Sequence, residues 1–276
     1  MTRRHADAIQ LVSRHEPVGN RTSIRGLMRR RHALRLAACL VAVIPAVVQA
    51  QTAQPARTFV SINIGSQVTS ITFDDNVVFT EFVEQGDFNA IYRVPTGSLL
   101  DVDGGVRLPM NFGVAIGTTR FYQKSTAEVD ARIPHPFYFS QDRSIVGDTA
   151  SLDRRETAVH LSARWFLPTA DSVELSGFGG PTFFSLAQEL ITGIEFDHSY
   201  PFNSATFTST AESQESQTVV GYHVGADMGY FFSPNIGVGT LIRFSRASTT
   251  LLSEDGGSVA VNVGGLNVTG GLRLRF

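Results

Sequence analysis

Four histidines beyond residue 50, at 135, 160, 198 and 223, are the side chains best suited to move a proton near neutral pH. Asp197 and His198 stand side by side in "EFDHSYP", an acid and a base whose adjacency does not by itself establish a working geometry. His160 and Ser162 offer a base and a nucleophile. Two residues apart on an extended chain, they share a face but sit roughly 7 Å apart, beyond hydrogen-bond reach. No G-x-S-x-G, H-E-x-x-H or Walker-type run occurs, and "GFGG" at Gly177 to Gly180 reads as a strand kink instead of a phosphate cradle. The expectation is therefore no catalytic residue, no cofactor and no metal site. His160 and His223 are expected to serve as hydrogen-bonding residues of a polar interior. His135, in "IPHPFYF", is expected in a loop packed on itself at a membrane surface.

The recurrent chemistry is charge at every second position. In "TAVHLSARWFLP", Val159, Leu161, Ala163, Trp165 and Leu167 face one way, and His160, Ser162, Arg164 and Phe166 the other. In "LLDVDGGVRLP", Leu100, Val102, Val106 and Leu108 oppose Asp101, Asp103 and Arg107. In "VVGYHVGADMGYFFS", the even positions Val220 to Phe232 oppose His223 and Asp227. The polar faces together collect Asp101, Asp103, Arg107, Arg164, Asp227, Arg243, Arg273 and Arg275. Charges of both signs on one face suit a filled lumen in which they pair, and glycines on that face (Gly105, Gly113, Gly117, Gly225, Gly237) suit a narrow one. Trp165, Tyr230, Phe231, Phe232, Phe112 and Phe276, near strand ends, are where an interfacial girdle belongs.

A period of two dominates beyond residue 50, and no stretch makes a convincing amphipathic helix. It predicts strands near 58–68, 71–83, 87–95, 99–108, 112–122, 157–167, 173–187, 218–232, 236–249 and 258–276. The fold expected is all-β, a transmembrane up-and-down antiparallel barrel of ten strands, with eight as the alternative. Tight turns at Pro109–Asn111, Thr169–Asp171 and Ser233–Asn235 alternate with long joins at 124–155, 188–217 and 250–257, which places short turns at one end and long loops at the other. "SYPFNSATFTSTAESQESQT" is expected to be a mobile surface loop. In the last strand Val259, Val261 and Val263 are odd while Leu266 onward is even, a phase slip that a bulge at Gly264 and Gly265 would repair.

Composition sets the compartment. Of 23 basic and 25 acidic residues, nine arginines and two acids fall in residues 1–50, so a basic leader precedes an acidic body. That excludes nucleic acid as a partner of the body, which has no basic stripe. Arginines from Met28, an apolar run from Leu36 to Val48 and a small-residue ending at Ala50 read as a secretory signal peptide cleaved after Ala50, with an extended basic n-region or a start at Met28. The apolar run is too short for a spanning helix and holds Pro45. Cys39 is the single cysteine, so residues 51–276, the barrel domain, need no disulfide.

"FVSINIGSQ", "LLDVDGGVRL" followed by "FGVAIGTTRF", "GFGGPTFF", "GADMGYFFSPNIGVGTLIRFSRA" and "VGGLNVTGGLRLRF" resemble the outer membrane protein β-barrel domain family, the small OmpA-like barrels of Gram-negative bacteria. The resemblance covers most of residues 57–276. It implies residence in the outer membrane, with lipids as the surroundings. It also implies recognition of the C-terminal strand, through Leu272, Leu274 and Phe276, by the barrel assembly machinery. The role expected is structural or surface interaction, with an extracellular ligand reached through loops 124–155 and 188–217. The alternatives are a small passive pore, or a barrel enzyme at the outer rim in the manner of omptin-type proteases, which use an Asp and His dyad.

Overall fold

The computed structural model describes residues 57–169 and 172–276; the leader, its cleavage point and part of the Thr169–Asp171 turn lie outside the described residues. Ten strands are present, as the periodicity predicts: β1 (Thr58–Gln67), β2 (Ile71–Glu81), β3 (Glu84–Val94), β4 (Gly97–Arg107), β5 (Phe112–Pro134), β6 (Asp142–Leu167), β7 (Val173–His198), β8 (Ala205–Phe231), β9 (Ile236–Leu252) and β10 (Ser258–Arg275). All pairings are antiparallel.

Ring closure follows from the partners. β1 pairs with β4, β4 with β5, and so on through β6, β7, β8, β9 and β10, which pairs back with β1. At the seam Thr58 and Phe276 exchange backbone hydrogen bonds of 3.1 and 2.8 Å. β2 and β3 stand outside this circuit: β2 continues the course of β1 after a three-residue break, β3 leads into β4, and the two pair with each other, β3 also pairing with the upper part of β5. Ten strands thus supply eight staves of a ring. The start of β1, the end of β10 and the tight turns gather at one rim, including Pro109–Asn111, where Met110 and Asn111 take φ of 62° and 63°.

Staves β5 to β10 are longer than a membrane needs. On β5, Phe112, Val114 and Ile116 point outward and Gly113, Ala115, Gly117 and Thr119 inward. Further along, past Arg120 and Lys124, the outward residues become Glu128, Asp130 and Arg132, while Ala127, Val129, Ala131 and Ile133 point inward and are buried. The facing never changes along β5, but the apolar side does. Outward apolar residues span Leu266 to Leu274 on β10, Ile236 to Phe244 on β9 and Val159 to Leu167 on β6. That is about the nine to eleven tilted residues that cross a bilayer core. Beyond the belt the strands form a sheet structure with an ordinary apolar core of Ile71, Phe73, Phe88, Tyr92, Leu186, Ile191, Leu251 and others.

Three expectations require correction here. The joins at 124–155 and 188–217 are mainly strand, with turns left only at 135–141 and 199–204. A bulge at Ser151, where Ser125 pairs with Leu152 but Thr126 with Ala150, breaks the alternation of the first. Residues 211–218 are almost all exposed on both faces, and pairing with β7 holds them extended. Gly264 and Gly265 take φ of 86° and 159°, yet the ladder between β10 and β9 runs through them without a shift. Val259, Val261 and Val263 face inward with Asn267 and Thr269, so the phase slip marks the strand leaving the membrane. Finally, Phe231 is buried in the lumen under Arg275 and leaves the girdle to its neighbours.

Candidate functional site

Six of the eight charges expected in the lumen meet in one network, supplied by five staves around the ring, β4, β6, β8, β9 and β10. Arg164 on β6 donates to Asp227 on β8 (3.0 Å) and to Asp103 on β4. Arg273 on β10 donates to the other oxygen of Asp227 (2.7 and 3.1 Å) and to Asn63 on β1, which donates to Asp101 (3.0 Å). Arg243 on β9 donates to Asp101 and to Thr119 (2.9 Å), while Ser61 donates to Asp103. Three aspartates balance three arginines, all buried. The guanidinium of Arg164 also lies 4.8 Å from the ring centre of Phe59 and 5.0 Å from that of Phe178. Glycine is needed where these side chains crowd the wall: a Cβ on Gly117 would meet that of Asp103 at 2.8 Å.

The other two expected charges hold the turn-side mouth. Arg107 pairs with Glu174 at 2.9 Å and stacks on Phe166, and Arg275 donates to the Pro234 carbonyl (2.6 Å) above Phe231.

His160 and His223 lie in the lumen as expected and form a directed chain with three hydroxyls. Thr119 donates to Asp101 (2.8 Å), a group that can only accept, so it must accept from His160 Nε2–H (2.9 Å). With both rings neutral, the remaining protons follow from the partners. Thr182 donates to His160 Nδ1 (2.9 Å), His223 Nδ1–H donates to Thr182 (2.8 Å), and Ser162 donates to His223 Nε2 (2.9 Å). Ser162 on β6 therefore meets His223, two staves away on β8, and not His160. The third partner of this serine and histidine is a hydroxyl where a hydrolase places a carboxylate. Asp197 and His198 are split as strand neighbours, with Asp197 exposed and His198 turned toward Arg143 (3.2 Å).

Above the network is a layer that sequence reasoning missed. Arg154, with no exposed surface, pairs with Glu156 at 2.7 Å and reaches Gln188 (3.1 Å) and the Asn262 carbonyl (2.8 Å), while Glu156 accepts the N–H of Gly264 (3.0 Å). The signal was present as the even-numbered series Arg154, Glu156, Ala158, His160, which the bulge at Ser151 ends. Between the two layers, the space lined by Thr119, His160, Phe184 and Asn267 amounts to about 10 Å³, at most room for one water.

No protein-family model and no curated protein matches the chain. Solved structures similar to it include Neisserial surface protein A (13% identity, 79% of this chain and 97% of that one, TM-score 0.41). Others are the outer membrane protein OprG of Pseudomonas aeruginosa (12%, 80% and 97%, 0.45) and the outer membrane protease OmpT of Escherichia coli (11%, 83% and 99%, 0.40). These superpositions are loose, and the fold stands on the chain's own strand pairing. Charge inside, an apolar belt of bilayer height outside and a closed ring together make this a β-barrel of the outer-membrane type.

Proposed function

We propose that the protein is a plugged outer-membrane barrel whose role is structural or one of surface interaction, carried out by the sheet it holds beyond the membrane. The observation that supports this reading is the filled lumen: a neutral network of three aspartates and three arginines, the Arg154–Glu156 layer above it, and an apolar core above that. Eight staves enclose little more than their own side chains, so a water path would have to displace paired charges. Purified protein in planar bilayers is expected to show no stepwise conductance; discrete, reproducible openings would replace this reading with the pore. Fractionation tests location separately, since a closed barrel should be recovered with the outer membrane and change gel mobility on boiling.

Assembly through Leu272, Leu274 and Phe276 belongs to the same proposal. These residues lie on the outer face of β10 at the seam with β1, and Phe276 is well exposed. A second reading, a hydrolase, is favoured by the 2.9 Å contact of Ser162 with His223. Hydrolysis of a lipid or peptide that a Ser162→Ala variant loses would support it, while equal turnover by the variant would remove this pair.

A further inference from the structure

Arg143, near the start of β6, is buried at the end of the sheet farthest from the tight turns. Its guanidinium donates to the carbonyls of Pro134 (2.8 Å) and Phe202 (3.3 Å) and to His198 Nδ1 (3.2 Å), all neutral acceptors, and its Nε meets none. The other buried arginines, Arg154, Arg164, Arg243 and Arg273, are each paired with a carboxylate. Among the described residues Arg143 has no such partner. Burial pushes its pKa below the usual arginine range, with no neighbouring charge to restore it.

His135 lies beside it. Its Nδ1 accepts the backbone N–H of Phe137 (3.1 Å) and Tyr138 (3.2 Å), which leaves the proton on Nε2, and that atom is buried without an acceptor. Arg143 is opposite Ile133, and the His135 N–H bonds the Gln141 carbonyl, so the two side chains are diagonal neighbours on one face of the hairpin. His198, accepting from Arg143 at Nδ1, carries its own proton on Nε2. The nearby acids are engaged or turned away. Glu84 accepts the Ser140 N–H (2.8 Å), and Asp142 and Asp197 are exposed on the opposite faces of their strands.

Two buried donors, Arg143 Nε and His135 Nε2, are therefore left without an acceptor on one face of the hairpin, beneath a rim of aromatic rings. Phe137 packs on Phe202 (5.4 Å) and Tyr138 on His135 (4.9 Å), while Phe139 and Tyr200 are 77% and 85% exposed. From the belt edge at Lys124, ten residues of β5 lead to Pro134, which lifts the rim roughly 25 Å beyond the bilayer once strand tilt is included. The rim is thus no part of the barrel's own girdle, and His135 does not pack at the membrane surface as the sequence suggested. A guanidinium and an imidazole N–H that lack any acid partner suit an anion, and a phosphate or sulfate group brings more acceptor oxygens to them than a carboxylate does.

We propose that this distal tip binds a tetrahedral oxyanion, a phosphate- or sulfate-bearing group, with Arg143 and His135 as its principal donors and the aromatic rim packing against whatever carries it. The inference rests on the proposed function only in that the tip must face the exterior.

The test uses the full barrel in maltoside micelles, which contain no phosphate, with 15N-labelled histidine read by NMR. Inorganic phosphate and sulfate are expected to shift the His135 and His198 ring signals saturably, while chloride at equal ionic strength does not. Arg143→Gln should abolish the effect, and Arg143→Lys, which keeps the charge without the fork, should weaken it about tenfold. Titration with short-chain phosphatidic acid separates the sources. Saturation at about tenfold lower concentration than inorganic phosphate, lost in Phe139→Ala, identifies a lipid headgroup; equal concentrations identify a soluble oxyanion. No saturable shift of the native protein with either probe overturns the proposal and leaves Arg143 as a clamp between two turns. That failure would not touch the barrel reading, which conductance and fractionation test independently.

Discussion

Arg164 joins two aspartates from staves on opposite sides of the lumen, so its removal leaves two buried carboxylates short of a cation. Arg164→Ala is expected to destabilise the barrel by about 3–5 kcal/mol, read as a lower urea midpoint in micelles. An unchanged midpoint would mean that the lumen is wet enough to screen these charges. Thr182→Val tests the directed chain, because it removes at once the donor to His160 and the acceptor of His223. About 1–3 kcal/mol should be lost, with both histidine ring signals shifted. The alternation of charged and apolar residues made these side chains legible as an interior set. Which pairs they form was not legible, since Ser162 finds His223 and Asp101 finds Arg243 only through staves distant in sequence.

The strands beyond the belt show where periodicity fails. On β5 a single facing carries two opposite amphipathic patterns, because hydrocarbon lies outside one half and a protein core inside the other. A pattern-based reading sees order in the first half and a loop in the second. The edge of β2 adds a pH-dependent contact. Asp255, in the turn between β9 and β10, accepts the N–H of Gly257 (2.8 Å) and of Val78 (3.3 Å), and these backbone donors hold its carboxyl below the usual aspartate range. A depressed folded pKa means that the contact is fully present above the unfolded value of about 4 and is lost as pH falls through the folded value. Amide exchange at Val78, corrected for intrinsic rate, should therefore accelerate below about pH 4. Asp255→Asn should remove that dependence, and its persistence in the variant would assign it elsewhere. At the seam, Phe276→Ala is expected to lower the assembled fraction in cells several-fold while leaving refolding into micelles unchanged; a matching loss in micelles would make Phe276 a packing residue instead.

The described residues form a ring of eight staves, with a lumen of paired charges inside an apolar belt and a sheet structure standing beyond it. The belt and lumen were legible because the two faces of each stave differ in chemistry across some nine residues. The upper structure was not, because its polar outer residues resemble any solvated loop. Trp165, the single tryptophan, sits on the outer face near the tight-turn rim, 48% exposed and packed edge-on against Phe112 at 4.4 Å. Its fluorescence in reconstituted bilayers tests the central claim most directly. Lipids brominated high on the acyl chain should quench it strongly, those brominated near the chain end weakly, and aqueous iodide hardly at all. Quenching by iodide with indifference to every brominated lipid would contradict the account, for it would turn the apolar belt away from hydrocarbon.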